Sequence, residues 1–404
     1  MEDLILAHAT LVPMTDESHY LRDGALYISN NRIVEVARTH EILAKYSGHI
    51  IDLAGKLVIP PFLNAHHHLY QTGISRPSRD NLLAWLTNTL FKEESSLEKE
   101  EVFESALLDN KAFLKSGVGY LILQESQFFY ETITEAVKTC KIKSLIGRYC
   151  GDNMSVLPDS LCESPEESLK RLVHYRKKYQ DDTCVKVSLS PRFLPAVTPA
   201  FLEYIEDHMD EVGLFLQIHF NESKDEIKLT RDIHHKEPAM VLDSHGLLKN
   251  DTILPHSIYL SDEELTILMK KKPIVTTSPT TNLTLSGEVA PIAEYLQKGI
   301  PVGLGLDSFA TSRSQTYMHE LHVLPGVVQE SPETLIPKIL TSSAKIACKI
   351  FGGGVIRAGS SADLVIFNVR PCNPWNYVIN HLSPENVEST MLDGEVVYER
   401  ESKQ

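Results

Sequence analysis

Cysteine is sparse in this chain of 404 residues: Cys140, Cys150, Cys162, Cys184, Cys348 and Cys372 stand far apart, with no C-x-x-C pair. That excludes a zinc knuckle, argues against a disulfide frame, and points to reduced thiols and a cytoplasmic setting. Positive charge is in deficit, 39 Lys and Arg against 54 Asp and Glu, for a net −15. Proteins that work on phosphate backbones or anionic bilayers need a basic stripe, so neither nucleic acid nor membrane is an expected partner. No run of 18 apolar residues exists, and Met1-Glu2-Asp3-Leu4 has neither the basic start nor the apolar core of a secretory signal. Glycine (20) and proline (21) are too few for a collagen-like or low-complexity chain. What remains is ordinary globular material, 42% hydrophobic and 23% charged. Its length suits one large barrel-type domain with a small appendage.

The two ends share a β-rich character. Ala25–Ser29 and Arg32–Val36 flank Asn30-Asn31, a hairpin signal, and Met391–Tyr398 carries Asp393-Gly394 at its centre. Residues 1–59 and 355–404 are each too short to fold well alone and are expected to combine into one small β-sandwich domain. Between them, over 60–354, short apolar runs alternate with helical stretches. The runs are Leu57–Leu63, Val118–Leu123, Ser144–Tyr149, Val185–Leu189, Leu214–Ile218, Thr252–Leu254, Pro273–Val275 and Pro301–Leu306. Helical stretches include Glu100–Lys115, Pro165–Tyr179 and Asp262–Lys271. Eight such runs predict an α/β fold, a parallel (β/α)₈ TIM barrel, whose chemistry sits at the C-terminal ends of the strands.

Four strand ends carry metal-ligand chemistry. The first run ends in His66-His67-His68; strand alternation puts His66 and His68 on one face, within reach of a single ion. Alone, the triplet reads equally well as a histidine-rich surface turn. The fifth run ends in His219, with Glu222 three residues on, where a solvated loop acid is the plainer reading. The sixth run ends at His256 and the eighth at Asp307, after Gly303 and Gly305. Jointly, three imidazoles and a carboxylate around one barrel mouth form an N₃O set suited to zinc and also to iron. Glu222 and His256 are then free for proton transfer and orientation.

These residues resemble the amidohydrolase superfamily, in its one-metal aminohydrolase branch, along nearly the whole chain. Pro60-Pro61-Phe62-Leu63-Asn64-Ala65-His66-His67-His68 resembles the family's P-G-F-x-N-x-H-x-H, with Pro61 in place of glycine. His219-Phe220-Asn221-Glu222 resembles H-x-x-E, and His256 with Leu260-Ser261-Asp262-Glu263-Glu264 resembles the His and L-S-D-E-E that follow. Ser278-Pro279-Thr280-Thr281-Asn282-Leu283 resembles C-P-x-S-N-L without its cysteine and serine. Gly303–Asp307 resembles G-L-G-T-D, and Gly354–Leu364 resembles the closing G-x(4)-G-x-x-A-D-L. The resemblance implies one divalent ion, zinc before iron, on His66, His68, His219 and Asp307. It also implies Glu222 as proton shuttle and His256 as orienter of the hydrolytic water. Lys186, inside the fourth run, is not expected to bridge two metals. Many relatives are dimers, so a homodimer is expected.

Within the branch the chain most resembles guanine deaminases. Gln71 sits three residues after His68. Leu83-Ala84-Trp85-Leu86 with Thr89-Leu90-Phe91 resembles L-x-W-L…T-F, and Ser190-Pro191-Arg192-Phe193 resembles T-P-R-F. The resemblance implies Gln71, Trp85, Arg192 and Phe193 as contacts to a small heterocycle. An amide and a guanidinium fork satisfy a purine's carbonyl and ring nitrogens while an aromatic ring covers its face. Taken singly, Arg192 reads as a surface salt bridge and Phe193 as core. The implied reaction is guanine to xanthine and ammonia. Lys92, where the guanine deaminases have proline, keeps 8-oxoguanine, pterin and triazine amino- or chlorohydrolysis open. A non-catalytic assembly protein on the same fold is the alternative of another class. His234-His235 falls in a charged helical stretch and is expected to face solvent.

Overall fold

A computed structural model describes residues 3–77, 82–213, 215–312, 314 and 316–401. The chain opens with five strands, β1 (Leu4–Leu11), β2 (Leu21–Ser29), β3 (Arg32–Arg38), β4 (His49–Asp52) and β5 (Leu57–Ile59). The β2–β3 hairpin turns on Asn30 (φ 51°) and Asn31 (φ 64°). Two consecutive left-handed residues match the twist of the flanking strands, and asparagine tolerates that conformation better than most residues.

The expected first run, Leu57–Leu63, is two strands. Pro60 and Pro61 supply no N–H to a ladder and break it, so β5 stays in the first sheet and β6 (Phe62–His67) starts a second. There follow β7 (Val118–Glu125), β8 (Lys143–Cys150), β9 (Val185–Pro191), β10 (Leu216–Gln217), β11 (Thr252–Pro255), β12 (Ile274–Thr277) and β13 (Val302–Leu304), each parallel to the one before. Leu214, the expected start of the fifth run, lies outside the described residues. Helices fall where expected, at Lys99–Lys115, Pro165–Lys178 and Asp262–Lys271.

The eight-stranded sheet closes on itself. His67 bridges Asp307 in parallel, His68 N donates to Asp307 O at 2.7 Å, and Asp307 N donates to His66 O at 2.9 Å. Leu306 N donates to Asn64 Oδ1 at 3.0 Å. Glycine makes this seam possible. A Cβ at Gly303 would stand 2.5 Å from that of Ala65, and one at Gly305 2.9 Å from His66 N, closer than real contacts allow. The result is the (β/α)₈ barrel.

Three last strands, β14 (Leu364–Phe367), β15 (Val387–Leu392) and β16 (Glu395–Glu399), return to the first sheet, in the order β16-β15-β14-β5-β1-β2-β3 with β4 beside β1. Leu6, Leu11, Leu26, Ile28, Val58, Leu364 and Ile366 form its core. Lys143, the first residue of β8, ties this sheet to the foot of the barrel through Asp363 (2.8 Å) and Asp393 (2.7 Å), with Tyr120 OH donating to Asp363 at 2.5 Å. The opposite end of the barrel is left open for chemistry. No described helix is long and apolar enough to cross a membrane.

Candidate active site

Strand alternation operates as expected at the end of β6. His66 and His68 share the inner face, their ring centroids 4.7 Å apart. His67 turns outward into the core between Phe113 and Phe309. His219 follows β10, His256 follows β11 and Asp307 follows β13, so the barrel gathers all of them at one mouth. One donor atom each from His66, His219, His256 and Asp307 lies within 4.8 Å of the others. His68 Nε2 stands 3.2 Å from both His219 Nε2 and Asp307 Oδ1. The four expected ligands are thus together, with His256 as a fourth nitrogen.

The hydrogen bonds behind the rings fix what they offer. His68 Nδ1 donates to the Gln124 carbonyl at 2.5 Å and His219 Nδ1 to the Arg192 carbonyl at 2.6 Å. Both protons are spent outward, and two bare Nε2 lone pairs face each other. His66 Nε2 is 3.1 Å from Asp307 Oδ1, and neither of its ring nitrogens has a hydrogen-bond partner. Burial pushes His66 down to about 3 and His219 well below the usual imidazole range, so both are neutral bases at physiological pH. Imidazoles and a carboxylate converging on one point fit the coordination set of a divalent cation.

Two carboxylates are pushed apart. Burial, then the charge of Asp307, raises Glu222 well above the ordinary range. Burial would raise Asp307 as well, yet the rings of His66 and His68 hold it well below. Glu222 Oε2 lies 3.6 Å from His256 Nε2, and His256 Nδ1 is pinned by Asn282 Oδ1 at 2.9 Å.

The backbone at this mouth is strained. Asn221, His256, Ser257 and Asp307 all have φ between 48° and 69°, at roughly 1–3 kcal/mol each. Two helix starts brace it. Ser223 and Glu226 cap the helix Lys224–His234, and Glu226 also accepts from Glu222 N at 2.8 Å. Ser261 and Glu264, within L-S-D-E-E, form the capping box of Asp262–Lys271, and Glu264 accepts from Asn221 Nδ2 at 3.2 Å. That motif is therefore a helix start whose acid also holds a residue next to Glu222.

A pocket opens on these groups, and Gln71, Trp85, Arg192 and Phe193 all line it, with Tyr149, Leu82, Leu86 and Leu285. Arg192 is no surface salt bridge. It is 5% exposed, its guanidinium lies over Tyr149 (4.4 Å) and Phe91 (4.7 Å), and it donates to Glu94 and to Tyr70 OH at 3.0 Å each. Gln71 Nε2 donates to the same hydroxyl at 3.1 Å.

Sequence reasoning passed over Tyr149, Glu94, Tyr70 and Asn282. Tyr149 ends an expected strand, and Asn282 and Tyr70 sit inside motif segments, Tyr70 between His68 and Gln71, so all three carried a signal; Glu94 carried none. Lys186 is exposed at the start of β9, away from the site. His234 corrects an expectation: it is buried, its Nε2 3.1 Å from the Leu194 carbonyl, because the helix turns that side onto the barrel; His235 beside it is exposed.

The amidohydrolase family model matches residues 57–397. A 5-methylthioadenosine/S-adenosylhomocysteine deaminase of Caldicellulosiruptor saccharolyticus is 28% identical over 414 aligned residues, 98% of this chain and 93% of the relative. Among solved structures, E. coli guanine deaminase superposes with a TM-score of 0.86 at 20% identity, over 99% of this chain and 100% of that one. A zinc-complexed atrazine chlorohydrolase of Arthrobacter aurescens gives 0.85 at 19% identity, over 98% and 95%. At those identities the solved structures establish the shared fold. The family pattern runs from β5 to β16 and so takes in every strand that supplies the converging imidazoles and carboxylates: the chain belongs to the amidohydrolase family.

Proposed function

We propose that this chain is a metal-dependent hydrolytic deaminase of a purine-type heterocycle bearing a ring carbonyl, with guanine, giving xanthine and ammonia, as the leading substrate. The observation that carries the reading is Arg192. A buried guanidinium lines the same pocket as the histidine cluster, and its N–H groups beyond those held by Glu94 and Tyr70 suit a carbonyl and ring nitrogens. Gln71, its amide nitrogen committed to Tyr70, offers a carbonyl oxygen to a ring N–H. Phe193 and Trp85 supply apolar cover.

In this reading His66, His68, His219 and Asp307 hold one divalent ion, zinc before iron on the N₃O donor set. Bound there, such an ion is a Lewis acid that makes water acidic near neutral pH. The chain's residues do the rest. Asp307, ionised, accepts a proton from the attacking water at its carboxylate. His256, with Nδ1–H given to Asn282, turns a bare Nε2 toward that water and orients it. Glu222, held protonated by burial, donates to the ring nitrogen next to the amino-bearing carbon; Asp307 then passes the water's proton to the departing amino group, Glu222 takes the proton of the new hydroxyl as the carbonyl forms, and ammonia leaves.

A second reading has one specific support, the 28% identity over 98% of the chain to a 5-methylthioadenosine/S-adenosylhomocysteine deaminase. It would place an adenine ring, rather than guanine, beside Arg192. Ammonia release from guanine, 8-oxoguanine, a pterin, 5-methylthioadenosine and S-adenosylhomocysteine, with chloride release from a chlorotriazine measured beside it, decides between the two. Guanine is expected to lead the panel; activity on the thioether nucleosides with none on guanine overturns the guanine assignment and leaves the deaminase. Arg192→Ala is expected to lower kcat/KM on the true substrate by roughly 5- to 150-fold, the loss of about 1–3 kcal/mol of hydrogen bonding, at unchanged metal content. An assembly role predicts no stoichiometric metal and no turnover.

A further inference from the structure

We infer that Glu94, which does not line the pocket, sets the chain's preference for a carbonyl-bearing substrate by positioning Arg192; the inference rests on the substrate reading above.

The covering segment Leu82–Glu94 is helical but not uniform: Leu82–Trp85 is α, Leu86–Leu90 is a π turn, and Phe91–Glu94 is α again. Phe91 N donates to Leu86 O, five residues back, and this wide turn resets the helical register. Up to its first residue, Leu82, Trp85 and Leu86 face the pocket. After it, Phe91 lies on one face of the Arg192 guanidinium and Glu94 Oε2 takes its NH1 at 3.0 Å. The Tyr149 ring also packs on it at 4.4 Å, and Tyr70 OH takes NH2. The guanidinium is therefore held by hydrogen bonds to Glu94 and Tyr70 and by contacts with two rings. Only its remaining donors are left for the pocket.

Glu94 is fully buried, and its Oε1 has no hydrogen-bond partner. A carboxylate kept in such a place is tolerated because it neutralises one buried cation, so its orientation is committed to Arg192. The same thirteen-residue stretch thus covers the substrate and aims the group that reads it. Glu94 is a positioning residue, acting through Arg192.

The test compares Glu94→Gln, Glu94→Asp and Tyr70→Phe with Arg192→Ala. Guanine and 2-aminopurine, the same ring without the carbonyl, are the substrates, and quenching of Trp85 fluorescence by xanthine reads binding without turnover. Glu94→Gln is expected to raise KM and the xanthine dissociation constant by about 10- to 100-fold with little change in kcat. The guanine-to-2-aminopurine preference should collapse toward that of Arg192→Ala, and metal content should hold. Glu94→Asp, keeping the charge, should recover part of the loss, and Tyr70→Phe should lose about 3- to 10-fold. If Glu94→Gln does not fold, Glu94→Asp and Tyr70→Phe decide: wild-type preference in both overturns the inference. A silent Glu94→Gln beside an impaired Arg192→Ala overturns it while the substrate reading stands. If guanine is not turned over, the substrate reading has failed. The variants are then measured on the panel's active substrate, where a silent Glu94→Gln overturns the positioning role too.

Discussion

Glu222 and Asp307 are both buried carboxylates, yet their surroundings push them in opposite directions, up for Glu222 and down for Asp307. Such a split assigns proton donor and acceptor within one site. Glu222→Gln keeps the shape and removes the transferable proton, so metal content should hold while kcat falls by about 10²–10⁴-fold; near-normal turnover would remove Glu222 from the proton path. His219→Ala should do the reverse and lose most of the metal, as read by elemental analysis. Full retention would show that His256, the fourth nitrogen near the cluster, serves as the ligand in its place. His219, His256 and Asp307 could be picked out because each stands just past a strand, and His66 and His68 because strand alternation is a local rule. Glu94 was not. It lies 98 residues from Arg192, and nothing in the pattern around it distinguishes it from Glu93 beside it. Only the closed barrel brings the pair together.

At the scale of elements, the helix Lys99–Lys115 carries a mismatch. Asp109 sits on its buried side, accepting from Thr72 Oγ1 at 2.5 Å, and burial pushes its carboxyl up to about 6 from 3.8. Between those values the folded state binds more proton than the unfolded chain, so stability falls as pH rises from about 4 to about 6 and stays lower above that. Asp109→Asn keeps an acceptor for Thr72 and drops the charge. It should stabilise the protein on the order of 1–3 kcal/mol at pH 8, with the gain vanishing near pH 4, as read by denaturant unfolding at both. Elements were read well where periodicity was clear, and seven of the eight barrel strands stand at the expected runs. The errors share a cause. Leu57–Leu63 is continuous in hydrophobicity but split by two residues without an N–H. His234 looked solvated because its neighbours are charged, whereas the helix's rotation, set by packing, turns it inward.

For the whole molecule, the donors of the candidate metal centre come from both sides of the barrel seam, His66 and His68 from the first strand and Asp307 from beyond the last. A cation there would bind only the closed barrel and stabilise it by mass action, about 4 kcal/mol at a thousand-fold excess over Kd. Chelation should lower Tm by several degrees, and zinc or iron should restore it. An unchanged Tm would count against a cation holding the seam. The seam also has a history in time. Leu306 and Asn64, which meet across it, are 242 residues apart. At about 5–20 residues per second, the first strand waits roughly ten to fifty seconds on the ribosome for the last. For the first part of that wait the nascent chain offers His66 and His68 alone, and after His219 is made the set still lacks Asp307. The barrel's own closure therefore times when this candidate donor set is complete: its last member arrives only once synthesis has passed Asp307.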